Sequence, residues 1–156
     1  MDQAQFLQLI DGHQGIIHKI CRLYRDSKED REDLFQEIVF QLWKSAPSFK
    51  GEAQFSSWLY RVALTTAIAG FRKKQVKITY TDVLPEKADV PVNRDEQERF
   101  FAALKQLDDG DKALIALYLE NMSYQQIAEI MGITENYVGV KLNRIKTKIQ
   151  QLLKLI

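Results

Sequence analysis

The stretch that decides the fold is Ser123-Tyr124-Gln125-Gln126-Ile127-Ala128-Glu129-Ile130-Met131-Gly132-Ile133-Thr134-Glu135-Asn136-Tyr137-Val138-Gly139-Val140-Lys141-Leu142-Asn143-Arg144-Ile145. Ser123 is placed to cap a helix over Tyr124–Met131, and Gly132 to end it in a conformation that side chains resist. Thr134 is placed to cap a second helix running almost to the C-terminus. The small Ala128 lets that second helix approach the first, and Val138 turns it back into the core. This is the pattern of a helix-turn-helix, whose second helix enters the DNA major groove.

A helical wheel sharpens the reading. At about 100° per residue, Leu142, Ile145 and Ile149 all fall within about 40° of Val138, forming one narrow apolar stripe. Asn136, Tyr137, Val140, Lys141, Asn143, Arg144 and Lys148 lie on the other side. Amide, guanidinium and ammonium donors there suit base edges and phosphates, and an exposed aliphatic suits a thymine methyl. The alternative is a basic, solvent-facing helix of a bundle.

Upstream the chain is also helical in period. Phe6, Leu9, Ile10, Ile16, Ile17, Ile20 and Leu23 form an amphipathic segment interrupted around Gly12 and Gly15. A second helix is expected from about Lys28 to Ala46, with Ser27 and Asp30 at its start resembling a capping box and Pro47 stopping it. A loop over Ser48–Ala53 leads to a third helix ending near Lys74. From Gln75 to Val92 the pattern fails. Val76, Ile78, Tyr80 and Val83 suggest a short extended piece, and Pro85 and Pro91 a linker. Asn93 is a candidate cap for a helix over Glu96–Leu107, and Asp108-Asp109-Gly110-Asp111 a turn into the next, over Lys112–Glu120. The expected architecture is all-α: two small helical domains, residues 1–75 and 96–156, joined by a flexible linker over 76–95, the C-terminal one a helix-turn-helix.

Composition sets the class. The chain has 156 residues, 46% hydrophobic and 28% charged, and one cysteine. One Cys and two His exclude a disulfide framework and a structural zinc site. No apolar run spans a bilayer and no signal peptide opens the chain, so it reads as cytoplasmic. Charge is segregated. Asp26–Glu37 holds six acids against two bases, Lys44–Lys74 six bases against one acid, and the chain from Tyr137 onward five bases and no acid. Two basic surfaces on a chain of net charge +1 fit a polyanion held at two places.

Within the second helix Leu34, Phe35, Ile38, Val39, Leu42 and Trp43 form the apolar arc. Phe40 falls on the polar side, among Asp33, Gln36, Glu37 and Lys44. Two readings stand for it: an interaction anchor, or an aromatic covered by another helix. Phe49, Phe55, Trp58, Tyr60 and Phe71 are interleaved with Lys50, Arg61, Arg72, Lys73 and Lys74, a mixture that suits stacking on unpaired bases with phosphates held alongside. Trp58, Phe55 and Phe71 are expected to serve at least partly as core. Catalysis finds no support: His13 and His18 project apart, Cys21 lies in an apolar-periodic run where a thiol is inert, and there is no phosphate-binding Gly loop. No cofactor is expected.

Together these stretches resemble the extracytoplasmic-function group of bacterial RNA polymerase sigma factors. Asp33-Leu34-Phe35-Gln36-Glu37, Phe40, Leu42-Trp43, Phe55–Ala63 and Arg72-Lys73-Lys74 resemble region two, and Tyr124–Glu129, Gly132-Ile133-Thr134 and Val138–Arg144 region four. The resemblance implies that Asp33, Gln36, Glu37 and Phe40 bind core RNA polymerase. It implies that the Phe49–Ser57 loop, with Lys50, Gln54 and Trp58, captures an unpaired base of the −10 element of promoter DNA, while Arg61 and Arg72 to Lys74 hold nearby phosphates. The last helix would read the −35 element through Asn136, Tyr137, Val140, Lys141, Asn143, Arg144 and Lys148. An anti-sigma factor is a further implied partner, with no small-molecule substrate and no insertion in a membrane. Thr65, Ala69 and Gln126 depart from the family's common Asn, Asp and Glu. Two rivals remain: a stand-alone helix-turn-helix regulator, and a sigma-like adaptor that does not open promoters.

Overall fold

The computed structural model describes residues 2–49, 51, 54–77 and 96–155, with the side chains of 70–77 and 155 left aside. Among these the chain forms α-helices joined by short turns and no strand: α1 (Gln3–Gly12), α2 (Gln14–Tyr24), α3 (Lys28–Ser45), a 3-10 turn (Ala46–Ser48), α4 (Phe55–Lys77), α5 (Glu96–Lys105), α6 (Asp109–Leu119), α7 (Tyr124–Met131) and α8 (Glu135–Leu155). The caps are those the sequence offers. Ser27 Oγ accepts from Asp30 N at 3.0 Å and Asp108 Oδ1 from Asp111 N at 2.8 Å. Asp30 holds the position that Glu or Gln takes in a capping box.

In the first half, α3 packs on α2 and α4, and α2 on α4. Ile17, Ile38, Leu42, Leu59, Ala63 and Ala67 are fully buried between them. The break between α1 and α2 falls at His13, between the two glycines, and its Nδ1 lies 2.7 Å from Leu9 O, a terminal carbonyl of α1. In the second half α8 packs on α5, α6 and α7. The expected stripe is its buried seam: Val138 and Leu142 are 0% exposed, Ile145 2% and Ile149 6%.

Two expectations change. Val76 lies within α4, which continues to Lys77, so the first domain's last helix overruns residue 75 and the expected extended piece does not begin there. A β-branched residue costs a helix only modestly. Ile78, Tyr80, Val83, Pro85, Pro91 and Asn93 lie outside the described residues. Trp43, placed by the wheel on the buried arc, is 44% exposed, because Phe6 covers only one side of its ring, at 5.0 Å between centroids. Arg25, which no pattern singled out, is 7% exposed. Its Nη1 donates to Tyr24 O at 2.9 Å and its Nη2 to Ala67 O at 3.1 Å, tying the end of α2 to α4.

The two halves touch. Tyr24 Oη donates to Asp109 O at 2.8 Å, Lys105 Nζ to Asp26 Oδ1 at 2.6 Å and to Arg25 O at 3.1 Å, and Lys19 pairs with Glu120 at 3.0 Å. The Arg22 guanidinium lies 4.3 Å over the Phe101 ring. Beside these polar contacts lies an apolar cleft of about 500 Å³ lined by Ile20, Leu23, Phe100 and Phe101, and the buried apolar residues of both halves belong to one core cluster.

Candidate polymerase and nucleic-acid interfaces

The helix-turn-helix is built by local chemistry. Ser123 Oγ accepts from Gln126 N at 3.1 Å, and Gln126 Oε1 accepts from Ser123 N at 2.9 Å, a complete capping box. Gln126 therefore closes the box as a Glu would. Gly132 has φ 71°, a left-handed conformation, and Ala128 O accepts from both Gly132 N and Ile133 N. Thr134 Oγ1 then accepts from Tyr137 N at 3.1 Å and starts α8. Gly139 lies beside Tyr124, where a Cβ would sit 3.4 Å from the ring.

Opposite the buried seam, Asn136, Tyr137, Val140, Asn143, Arg144 and Lys148 are exposed together. Lys141 differs. It is half-buried, its Nζ lies 4.0 Å from Asp111 Oδ1, and it leans over the Tyr137 ring at 5.4 Å. Burial pushes the Asp111 carboxyl up, and neighbouring Asp108 pushes it the same way, against the pull of Lys141 and Lys148. Lys141 is thus partly engaged within its own domain while the other donors point outward.

On α3, Phe40 is 57% exposed beside exposed Asp33, Gln36 and Glu37, so no helix of the described chain covers it. Leu7 at 55% and Trp43 at 44% exposure join it around an apolar groove of about 420 Å³ between α1 and α3. Neither residue was foreseen as part of this face. Leu7 belongs to a short helix whose periodic residues all looked like core.

Aromatic rings cluster between Phe49 and the start of α4. Phe49 lies 5.1 Å from Trp58 and 5.8 Å from Phe55, Phe55 lies 5.5 Å from Trp58, and His13 tilts over Phe55 at 4.8 Å. Trp58 and Phe55 pack partly against the core, as expected. Gln54 and Arg61 are exposed beside this cluster, and Arg61, Thr65 and Ala69 follow at helical spacing along one exposed stripe of α4. Lys50 and the side chains of Phe71, Arg72, Lys73 and Lys74 lie outside the described residues. Arg61 Nη2 donates to Glu129 O of α7 at 2.7 Å. Cys21 is buried, and that burial pushes its thiol up to about 11, so it stays protonated and unreactive near neutrality. Among the described residues no helix is long and apolar enough to cross a membrane.

The described chain is thus all-helical, with an exposed face of amide and basic donors on α8 and an exposed aromatic among acids on α3. The sigma-70 region 2 family profile matches residues 9–76 and the sigma-70 region 4 profile residues 97–149. The ECF RNA polymerase sigma-E factor of Haemophilus influenzae is 31% identical over 97% of this chain and 91% of its own length. The ECF sigma factor SigW of Bacillus subtilis is 25% identical over 98% of this chain and 91% of its own. Among solved structures, the sigma factor RpoE of Bartonella quintana, in complex with the anti-sigma factor NepR, superposes with a TM-score of 0.79 at 21% identity, covering 96% of this chain and 97% of that one. CnrH, in complex with the cytosolic domain of CnrY, gives 0.70 at 19% identity, covering 99% and 90%. The chain belongs to the extracytoplasmic-function family of RNA polymerase sigma factors, and its function is promoter-specific initiation of transcription.

Proposed function

We propose that three separate surfaces divide this work. Asp33, Gln36, Glu37 and Phe40 on α3 dock on core RNA polymerase. Gln54, Trp58 and Arg61, with Phe49, Lys50, Arg72, Lys73 and Lys74, take the unpaired −10 strand. Asn136, Tyr137, Val140, Lys141, Asn143, Arg144 and Lys148 of α8 meet the −35 duplex. The observation that carries the reading is α8 itself, a fully buried seam backed by an exposed face of amide and basic donors. The protein acts in the cytoplasm, without a catalytic site or cofactor of its own. The anti-sigma factor named with the Bartonella structure supports a partner of that kind here. Promoter-dependent transcription on adding the protein to purified core polymerase tests the whole reading. Polymerase binding without initiation would make it an adaptor, and specific duplex binding without polymerase a stand-alone regulator.

Unpairing a base costs a few kcal/mol, which a small domain offsets only within a complex already anchored by polymerase. Gln54→Ala and Lys50→Ala are therefore expected to reduce open-complex formation more than polymerase binding. Permanganate reactivity of thymines near the start site reports it, and unchanged reactivity in both variants removes the loop from the mechanism.

On α8 the N-terminal end of the reading helix should enter the groove deepest, placing Asn136, Val140 and Asn143 or Arg144 at base edges and Lys148 at a phosphate. Losing a base-reading residue should cost about 1–3 kcal/mol on the preferred −35 sequence and little on a scrambled one. Losing Lys148 should weaken both alike and lower the salt slope by about one unit. Holoenzyme titrations on both sequences at several salt concentrations separate the cases. Equal losses on both sequences for Arg144→Ala and Asn136→Ala would reduce α8 to a backbone clamp.

A further inference from the structure

One histidine stands at a joint of the first half. His13 ends α1 and begins α2: its backbone N–H donates to Ile10 O at 3.0 Å, and its carbonyl accepts from Ile16 N at 3.2 Å. Its side chain secures the same end. Leu9 O can only accept, so the 2.7 Å contact requires a proton on Nδ1 of the imidazole. From that position the ring tilts over Phe55, the first residue of α4, at 4.8 Å between centroids. Phe55 in turn meets Phe49 at 5.8 Å and Trp58 at 5.5 Å, and all four rings are half-buried.

Helix α1 is thereby braced against its neighbours at two points. Seven residues before His13, Phe6 packs on the ring of Trp43, near the end of α3, at 5.0 Å. The rise between the two points is about 10 Å. The chain leaves α3 at Ser45 and enters α4 at Phe55, so α1 is in contact with both sides of this connection. An imidazole meets both demands placed on residue 13. Phe would keep the ring and lose the donor, whereas Asn would keep a donor at the same reach and lose the ring.

We propose that His13 is a positioning residue for strand capture. Held by Leu9 O and seated on Phe55, it fixes the angle at which Phe49, Phe55 and Trp58 stand beside Gln54. Those rings are the platform on which an unpaired base would stack, and His13 touches no DNA itself. A platform fixed in advance binds better than one that must be ordered on binding, because the ordering costs free energy. The inference rests on the −10 role proposed for Gln54 and Trp58. His13 does not line the apolar groove around Phe40, so docking on polymerase should survive its loss.

The test uses holoenzyme saturated with the full chain, so that opening is read separately from docking. His13→Ala should slow open-complex formation about tenfold, or about 1.4 kcal/mol, the size of one aromatic pair. Permanganate reactivity of thymines near the start site follows the rate, and titration against core polymerase should show undiminished affinity. His13→Phe should recover most of the rate and His13→Asn should not. Nitrogen NMR of the free protein should find the His13 ring proton on Nδ1. An Nε2–H tautomer overturns the proposal, as does recovery by His13→Asn without recovery by His13→Phe, which would leave His13 a helix cap only. Loss of polymerase affinity in step with loss of opening overturns it too. The Gln54→Ala and Lys50→Ala variants separate it from the reading beneath it. If they slow opening and His13→Ala does not, the −10 assignment stands and the positioning role falls. If none of the three slows it, the −10 assignment falls and the positioning role with it.

Discussion

Phe40→Ala is expected to weaken binding to core RNA polymerase by about 30-fold, or about 2 kcal/mol, while the melting temperature barely moves. The two halves of this expectation have different physical sources. Phe40 is 57% exposed, so truncating it opens no cavity, and a surface substitution of this kind stays within about 0.5 kcal/mol of the parent in stability. A buried Phe would cost about 3–5 kcal/mol. The loss in binding comes from the patch around it. Phe40, Trp43 and Leu7 expose three large apolar side chains around one groove, rimmed by Asp33, Gln36 and Glu37. An apolar centre with a polar rim is the anatomy of a hot spot, where desolvating the anchor supplies most of the energy. Trp43→Ala should give a similar loss of binding at some cost in stability, since its ring also packs on Phe6. Binding measured by titration against labelled core enzyme, beside a melting curve, decides it. A large fall in melting temperature for Phe40→Ala, or undiminished polymerase binding, would place the docking face elsewhere.

The sequence carried the local features because each is written within a few residues. The Ser123 and Thr134 caps, the left-handed Gly132 and the seam from Val138 to Ile149 all follow from side-chain chemistry at fixed helical spacing. Phe40 was visible for the same reason, as one aromatic out of phase with its own helix. Features that depend on distant partners were not visible. The wheel placed Trp43 on the buried arc correctly in angle, but whether anything covers that angle depends on how far α1 extends. Arg25 is buried because Tyr24 O and Ala67 O receive its guanidinium, an arrangement spread over 42 positions of sequence. The docking of the halves uses single side chains 68 to 101 residues apart, with no periodicity to announce them. At Gln75–Lys77 the sequence misled, because a β-branched residue and failing periodicity look alike whether a helix frays or a strand begins.

Leu142→Ala is expected to remove about 2–5 kcal/mol of stability and to do so in one half of the molecule only. Leu142 is 0% exposed at the middle of the α8 seam, so its truncation leaves a cavity that Val138 and Ile145, fixed on the same helix, cannot fill. A domain of about 60 residues has some 3–9 kcal/mol in total, so the loss takes much of what holds α5–α8 together. Whether the first half follows depends on the interface between the halves. That interface combines two partly exposed ion pairs, Asp26–Lys105 and Lys19–Glu120, with the Tyr24 hydrogen bond to Asp109 O, the Arg22–Phe101 contact and an apolar cleft. The ion pairs are worth about 0–1 kcal/mol each and the hydrogen bond about 1 kcal/mol, so part of the destabilisation should stay within α5–α8. Hydrogen exchange should therefore show α5–α8 amides losing protection while those of α2, α3 and α4 keep most of theirs. Polymerase binding through Phe40 should persist as −35 binding fades. Val140→Ala, on the same helix but 40% exposed, serves as the control and should leave protection unchanged. If the variant strips protection equally from both halves, the chain folds as a single cooperative unit, and the division into two domains near residues 75 and 96 is wrong.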